Sequence, residues 1–235
     1  MAGDLRGVTT VILPGTGSDD DYVSRAFAGP LRDAGALALT PPPQPGQLVV
    51  GYLAAMDDAA RRDAIAVGGI SIGAAVAAAW ALQHPDRAVA VLAALPAWTG
   101  APEDAPAARA ARHSADQLRR NGLAATTTQM RASSPPWLAE ELTRSWRRQW
   151  PQLPDAMEEA ARYVAPSCAE LARLSVPLGI AVATDDPVHP QEIGLEWAAA
   201  APRAAMRTVT LDQIGADPAA LGAACLAALE AAQLD

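Results

Sequence analysis

Cysteine is scarce in this chain. Cys168 and Cys225 stand far apart and without the paired spacing of a zinc site. Neither a disulfide framework nor a structural metal is therefore expected, and nothing in the sequence calls for a cofactor. Histidine occurs only at His84, His113 and His189, so proton-transfer chemistry has few places to reside. Aromatics make up 4% of the residues, and much of the apolar content is alanine, which suits many helices packed closely on a sheet. Positive charge is also short. Lysine and arginine number 18 against 26 aspartates and glutamates, and only Arg144, Arg147 and Arg148 gather, which excludes nucleic acid as the expected partner. No apolar run approaches the roughly eighteen residues of a membrane span. The start, Met1-Ala-Gly-Asp-Leu-Arg, has no apolar leader. A cytoplasmic protein with no membrane partner is the expectation.

Against these absences, one stretch stands out. The apolar, β-branched run Ile65-Ala66-Val67 leads through Gly68 into Gly69-Ile70-Ser71-Ile72-Gly73, followed by an alanine-rich run with no polar residue until Gln83. Such a pattern describes a buried strand turning sharply into a helix with Ser71 at the corner. Side chains at positions 69 and 73 would collide with neighbouring backbone, and Ser71 would occupy a strained conformation. Its hydroxyl would lie at a helix N-terminus, where free N–H groups favour developing negative charge. The bland alternative is a small-residue turn that lets a helix pack on a sheet.

Taken in order, the chain reads as strands at 8–13, 36–40, 64–69 and 89–95, alternating with helices. The helix opening at Asp19-Asp20-Asp21 is expected to end or kink at Pro30. Another is read from Gln47 to Arg62 on the spacing of Leu48, Val49, Tyr52, Leu53 and Met56. This alternation implies a parallel sheet covered on both faces, with ligands at the carboxyl ends of the strands. Both Gly15-Thr16-Gly17 and Ser71 fall at such ends. Between Ala97 and Leu174 no strand-like run appears. One helix follows Ser134-Pro135-Pro136, placing Leu138, Leu142, Trp146 and Trp150 four apart and Glu140 in reach of Arg144. Another is read from Asp155 to Val164. Residues 97–174 are thus expected to form a helical cap inserted in a single domain spanning 1–235. Trp137, Trp146 and Trp150 either line an apolar pocket there or staple the cap to the sheet. The alternation resumes with a strand at 176–183, a helix at 191–200, a strand at 206–211 and a helix from about Pro218 to Ala232.

On these features the chain resembles the α/β-hydrolase family along nearly its whole length. The matching residues are the Gly69-Ile70-Ser71-Ile72-Gly73 elbow, Pro14-Gly15-Thr16-Gly17 where the family often has His-Gly-X-Gly, the cap, and the strand and loop from Val176 to Val188. The resemblance implies an α/β fold with a mostly parallel sheet of about six strands covered by helices. It implies Ser71 as nucleophile, Asp186 as acid, and the backbone N–H groups of Thr16 and Ile72 as an oxyanion hole. The implied activity is a serine hydrolase acting on a small-molecule ester, thioester or lactone with an apolar portion, held by Trp137 and Trp146. A non-hydrolytic member of the fold (a cofactor-free lyase, cyclase or isomerase), or a ligand-binding protein that has lost catalysis, is the alternative.

The base departs from the family pattern. Its histidine normally follows the last strand, where this chain has Asp212-Gln213-Ile214-Gly215-Ala216-Asp217. His84 falls at the far end of the sheet, as a surface or capping residue. His113 falls in the cap, with a solvated helix position as its default. His189 shares a loop with Asp186 at a strand's carboxyl end and is the candidate proton carrier. A separation of three positions leaves little room for both around one turn. A swapped arrangement is therefore also open, with Asp217 or Asp212 orienting His189, and Asp185 is a further candidate acid.

Overall fold

A computed structural model describes residues 5–234. The leader reading at Met1 to Asp4 lies outside the described residues. Six strands form one sheet: β1 (Thr9–Leu13), β2 (Leu37–Leu39), β3 (Ile65–Ile70), β4 (Ala88–Ala94), β5 (Leu178–Ala183) and β6 (Ala204–Val209). Every pairing is parallel, and the spatial order is β2-β1-β3-β4-β5-β6. The order reverses between β1 and β3, so their carboxyl ends diverge into crossovers on opposite faces and leave a crevice there. Ser71 directly follows β3.

Period-two alternation splits the core in two. Ile65 and Val67 of β3, with Val91 and Ala93 of β4, face one apolar cluster, while Ala66, Ile70, Ala90, Leu92 and Ala94 face the other. Helices α2 (Leu48–Ala59), α3 (Ile72–Gln83) and α8 (Gln191–Ala200) bury Tyr52, Met56, Trp80 and Trp197 on the first face. Helices α1 (Asp20–Asp33), α9 (Leu211–Ala216) and α10 (Ala219–Leu234) bury Phe27, Leu31, Ile214, Leu221 and Leu229 on the second. Among the described residues no helix is long and apolar enough to cross a membrane.

Between β4 and β5 lie only helices: α4 (Pro106–Ser133, broken at Gly122, φ 75°), α5 (Pro136–Gln149), α6 (Leu153–Arg162) and the single turn α7 (Cys168–Leu171). Helix α5 rests on the loops at the carboxyl ends of the strands. The Trp146 indole edge covers Gly17 after β1, and the Trp137 edge covers Gly215 in α9 after β6. The Gln149 side-chain amide donates to the Ser18 carbonyl at 2.9 Å.

The structure corrects three local expectations. Pro30 does not end α1, which continues to Asp33. Proline frees the Ala26 carbonyl four residues back, and Gly222 of α10 packs directly against that oxygen. Arg144 pairs with Asp19, Asp21 and Glu141 rather than Glu140, because the buried Asp19 carboxylate draws the guanidinium towards α1. The last strand ends at Val209, not Leu211. Thr210 and Gln213 form a reciprocal capping box that starts α9 directly after the strand.

Candidate active site

Among the described residues Ser71 is one of three non-glycine residues with positive φ, at φ 56° and ψ −115°. The flanking packing forces this conformation. A Cβ at Gly69 would come within 2.5 Å of the Gly73 carbonyl carbon, and one at Gly73 within 2.5 Å of the Leu13 oxygen and 2.8 Å of the Pro14 oxygen. Strand β1, β3 and the first turn of α3 can meet this closely only through glycine. The Ser71 N–H donates to the Ala94 carbonyl at 2.9 Å, which ties the corner to β4. Backbone held in such a region costs about 1–3 kcal/mol. Glycine at 71 relieves that cost, less the extra chain entropy it brings to the unfolded state. Ser71→Gly is therefore expected to melt about 2–4 °C above Ser71→Ala. A thermal melt with Ser71→Gly at or below Ser71→Ala contradicts a strained corner.

From this corner the Ser71 hydroxyl lies 3.0 Å from His189 Nε2, and His189 Nδ1 lies 2.7 Å from Asp186 Oδ2. A carboxylate can only accept, so Nδ1 carries the proton and donates to Asp186. Nε2 is then left with its lone pair towards the serine hydroxyl. The three side chains sit in a largely covered site: Ser71 is 6% exposed, and the His189 and Asp186 side chains 17% and 9%.

The crowding expected between residues 186 and 189 is resolved by a tight turn. Asp186 Oδ1 accepts from the Val188 N–H at 2.8 Å and the His189 N–H at 3.2 Å, folding the loop back on itself. One carboxylate oxygen shapes the turn while the other holds the imidazole. Burial alone would push the Asp186 pKa up. The hydrogen bond and charge of His189, with the two backbone N–H donors, outweigh it and hold the carboxyl below its ordinary value.

The swapped arrangement is thereby overturned. Asp217 Oδ1 accepts from the Ala219 N–H at the start of α10, and Asp212 is exposed in the first turn of α9. Asp185 Oδ1 accepts from the Leu211 N–H and ties the β5 loop to α9, so it is not the residue that meets the imidazole. His84 caps α3, its Nδ1 2.9 Å from the Trp80 carbonyl, and His113 is exposed on α4.

On the other side of Ser71, Gly15 packs against it. A Cβ on Gly15 would be 3.5 Å from the Ser71 Cβ. The Ser18 N–H donates to the Gly15 carbonyl at 3.0 Å, and Gly17 takes φ 72°. These are the marks of a type II turn with Thr16 and Gly17 at its centre. The N–H groups of Thr16 and of Ile72, the first residue of α3, have no acceptor among the described residues. Trp146 is 3% exposed, against Gly17 and Met157, and Trp137 is half-buried, stacked on Tyr22 with ring centroids 6.4 Å apart. Among the described residues no group of three or more His, Cys, Asp or Glu is placed to hold a metal.

The architecture of a parallel six-stranded sheet covered by helices recurs in solved structures. An enol-lactonase from Burkholderia xenovorans LB400 superposes with a TM-score of 0.67 at 19% identity, covering 88% of this chain and 84% of that one. The fold is that of the α/β-hydrolases. Two further structures of this fold show the same breadth of match. A thermophilic esterase from Thermogutta terrifontis gives a TM-score of 0.61 at 18% identity, over 89% of this chain and 82% of that one. A carboxylesterase structure from Nitrososphaera gargenis gives 0.70 at 14% identity, over 91% and 86%. No protein-family model matches the sequence, and a comparison with curated proteins finds no match. The likeness to other α/β-hydrolase structures is thus one of fold.

Proposed function

We propose that the protein is a serine hydrolase that cleaves a small-molecule ester, thioester or lactone with an apolar portion through an acyl-enzyme on Ser71. The observation that carries this reading is the hydrogen-bonded line from Ser71 Oγ through His189 to Asp186. A serine hydroxyl is a weak nucleophile until a neighbouring base takes its proton, and His189 Nε2 is at hydrogen-bond distance. Asp186 keeps the imidazole in the tautomer and orientation that accept it, and stabilises the imidazolium that results.

The reaction then runs in two halves. Ser71 Oγ attacks the carbonyl carbon as its proton passes to His189, and the carbonyl oxygen gains negative charge. The Ile72 and Thr16 N–H groups, both without an acceptor among the described residues, supply donors for that charge, and the N-terminus of α3 adds its dipole. Collapse of the tetrahedral intermediate breaks the bond to the leaving alcohol or thiol, which receives the proton from His189. Water then enters, gives its proton to His189 and attacks the acyl carbon. Return of that proton to Ser71 Oγ releases the acid. In a lactone the leaving hydroxyl stays attached to the acyl chain. Helices α4–α7 act in this reading as a cap that keeps bulk water from the acyl-enzyme. The likeness of fold to an enol-lactonase, an esterase and a carboxylesterase supports carbonyl hydrolysis as the chemistry.

Treatment with a fluorophosphonate probe is expected to leave a covalent adduct on the peptide carrying Ser71, by mass spectrometry, and none on Ser71→Ala. An unlabelled wild-type protein that also fails to turn over short acyl esters contradicts the reading. Turnover of a carbonyl compound without an acyl-enzyme points instead to a lyase, cyclase or isomerase.

A further inference from the structure

The loop that carries the Thr16 N–H is not held by the sheet alone. Side chains from α2, α5 and α6 fix it, and most of them come from α5. At its start the buried Tyr52 hydroxyl of α2 donates to the Pro14 carbonyl at 3.0 Å. At its centre Trp146 and Met157 close over Gly17. At its end the Gln149 amide nitrogen donates to the Ser18 carbonyl at 2.9 Å and to Ser145 Oγ at 2.7 Å. One residue further, Arg144 reaches the buried Asp19 carboxylate at 2.7 Å. Gln149 is 6% exposed, and among the described residues its side chain makes these two hydrogen bonds, one of them to main chain of the turn that presents Thr16.

The geometry points to Gln149 as a positioning residue for the oxyanion donor on Thr16, with Trp146 and Arg144 of the same helix in support. This inference rests on the hydrolase reading and extends it: the helical excursion contributes to the chemical step and not only to substrate enclosure. A buried primary amide suits the task because its N–H accepts no proton and keeps its direction at any working pH. Released from Gln149, the Ser18 carbonyl and the turn behind it lose their anchor, and Thr16 N–H no longer meets the forming oxyanion in register. A donor misplaced by about 1 Å costs on the order of 10²-fold in rate, and loss of one donor about 10²–10³-fold. The penalty falls on the transition state, where the charge develops, rather than on the bound substrate.

The test compares the full-length wild type with Gln149→Leu and Gln149→Glu on a short acyl ester, following kcat, KM and the affinity for an alkyl boronic acid. The boronate forms a tetrahedral adduct on Ser71 and so reports the oxyanion donors. Gln149→Leu removes the donor and keeps the bulk. Gln149→Glu keeps the shape but turns acceptor oxygens towards the Ser18 carbonyl. Both are expected to lower kcat by roughly 10–100-fold, with KM within about twofold and boronate affinity falling by the same factor as kcat/KM. Thr143→Val, on the same helix but with its hydroxyl bonded to Ala139 and Arg131 and away from the turn, is expected to leave all three unchanged. Should Gln149→Leu fail to fold, Gln149→Glu carries the comparison. A Gln149 variant with wild-type kcat, or one whose KM alone rises, overturns the positioning role while leaving the hydrolase reading intact. An inactive, unlabelled wild type overturns both together.

Discussion

His189→Gln is expected to lower kcat/KM by about 10⁴-fold, and Asp186→Asn by about 10³–10⁴-fold, on any ester the wild type hydrolyses. Glutamine fills much of the imidazole's volume but cannot take the Ser71 proton across the 3.0 Å gap at Nε2. Asparagine at 186 can still accept from the Val188 and His189 N–H groups through its amide oxygen, so the turn survives. Its NH₂ group then faces Nδ1 and favours the opposite tautomer, with the proton on Nε2 where the lone pair is needed. Because the three residues act as one unit, Ser71→Ala combined with His189→Gln should be little worse than Ser71→Ala alone. Asp212→Asn and Asp217→Asn should stay within about twofold of wild type, since neither carboxylate meets His189. Steady-state kinetics on these six variants beside the wild type decide the matter. A silent Asp186→Asn with a disabled Asp217→Asn would restore the swapped arrangement.

Asp186→Asn also carries a stability signature of definite sign. The folded-state pKa of Asp186 is depressed, so the ionised carboxylate contributes stability that is fully present above the unfolded carboxylate pKa. That contribution is lost as pH falls through the depressed folded value. Wild type should therefore lose stability across that acid window more steeply than Asp186→Asn.

Gly73→Ala is the second large effect, and it acts on folding. The added methyl would meet the Leu13 oxygen at 2.5 Å, the Pro14 oxygen at 2.8 Å and the Leu13 carbonyl carbon at 2.9 Å, all main-chain atoms that cannot turn aside. To make room, α3 must lift from β1 and carry Ser71 with it. Overpacking against fixed backbone costs about 3 kcal/mol, which for a chain of this size lowers the melting temperature by roughly 6–12 °C. Activity should fall further than stability, because Ile72 N–H and Ser71 both move. Gly29→Ala is the internal control. It lies inside α1 with only the tip of Arg32 within 4 Å, so it should raise stability by about 0.5–1 kcal/mol. Gly73→Ala melting with wild type would refute the steric account of the elbow.

Much of the scaffold is legible in local sequence because its signals are local. Strands appear as short β-branched or apolar runs closed by glycine or proline. The elbow appears as glycines flanking a serine between a strand-like and a helix-like run. What local reading missed has equally specific causes. Thr210 and Gln213 do carry a capping-box spacing, yet the apolar Val209–Leu211 stretch masks the short helix that the box starts. Ser167 and Glu170 show the same pair ahead of α7, which is only one turn long. Pro30 reads as a helix stop or kink, and only the close approach of Gly222 shows how the freed carbonyl is accommodated.

The amino-acid sequence by itself determined the alternation of strands and helices, hence a parallel sheet, and the sharp corner at Ser71, because glycine placement and hydrophobic period act over a few residues. Tertiary structure alone decided which acid meets His189. Spacing of three permits either a clash or a contact, and the outcome depends on Asp186 Oδ1 capturing two backbone N–H groups and folding the loop towards β3. Tertiary structure also decided that α5, some 130 residues along the chain from the Gly15–Asp19 turn, holds that turn in place. A buried amide on one helix and a carbonyl on a distant loop become partners only when the sheet brings the ends of its strands together, and no local pattern encodes that meeting.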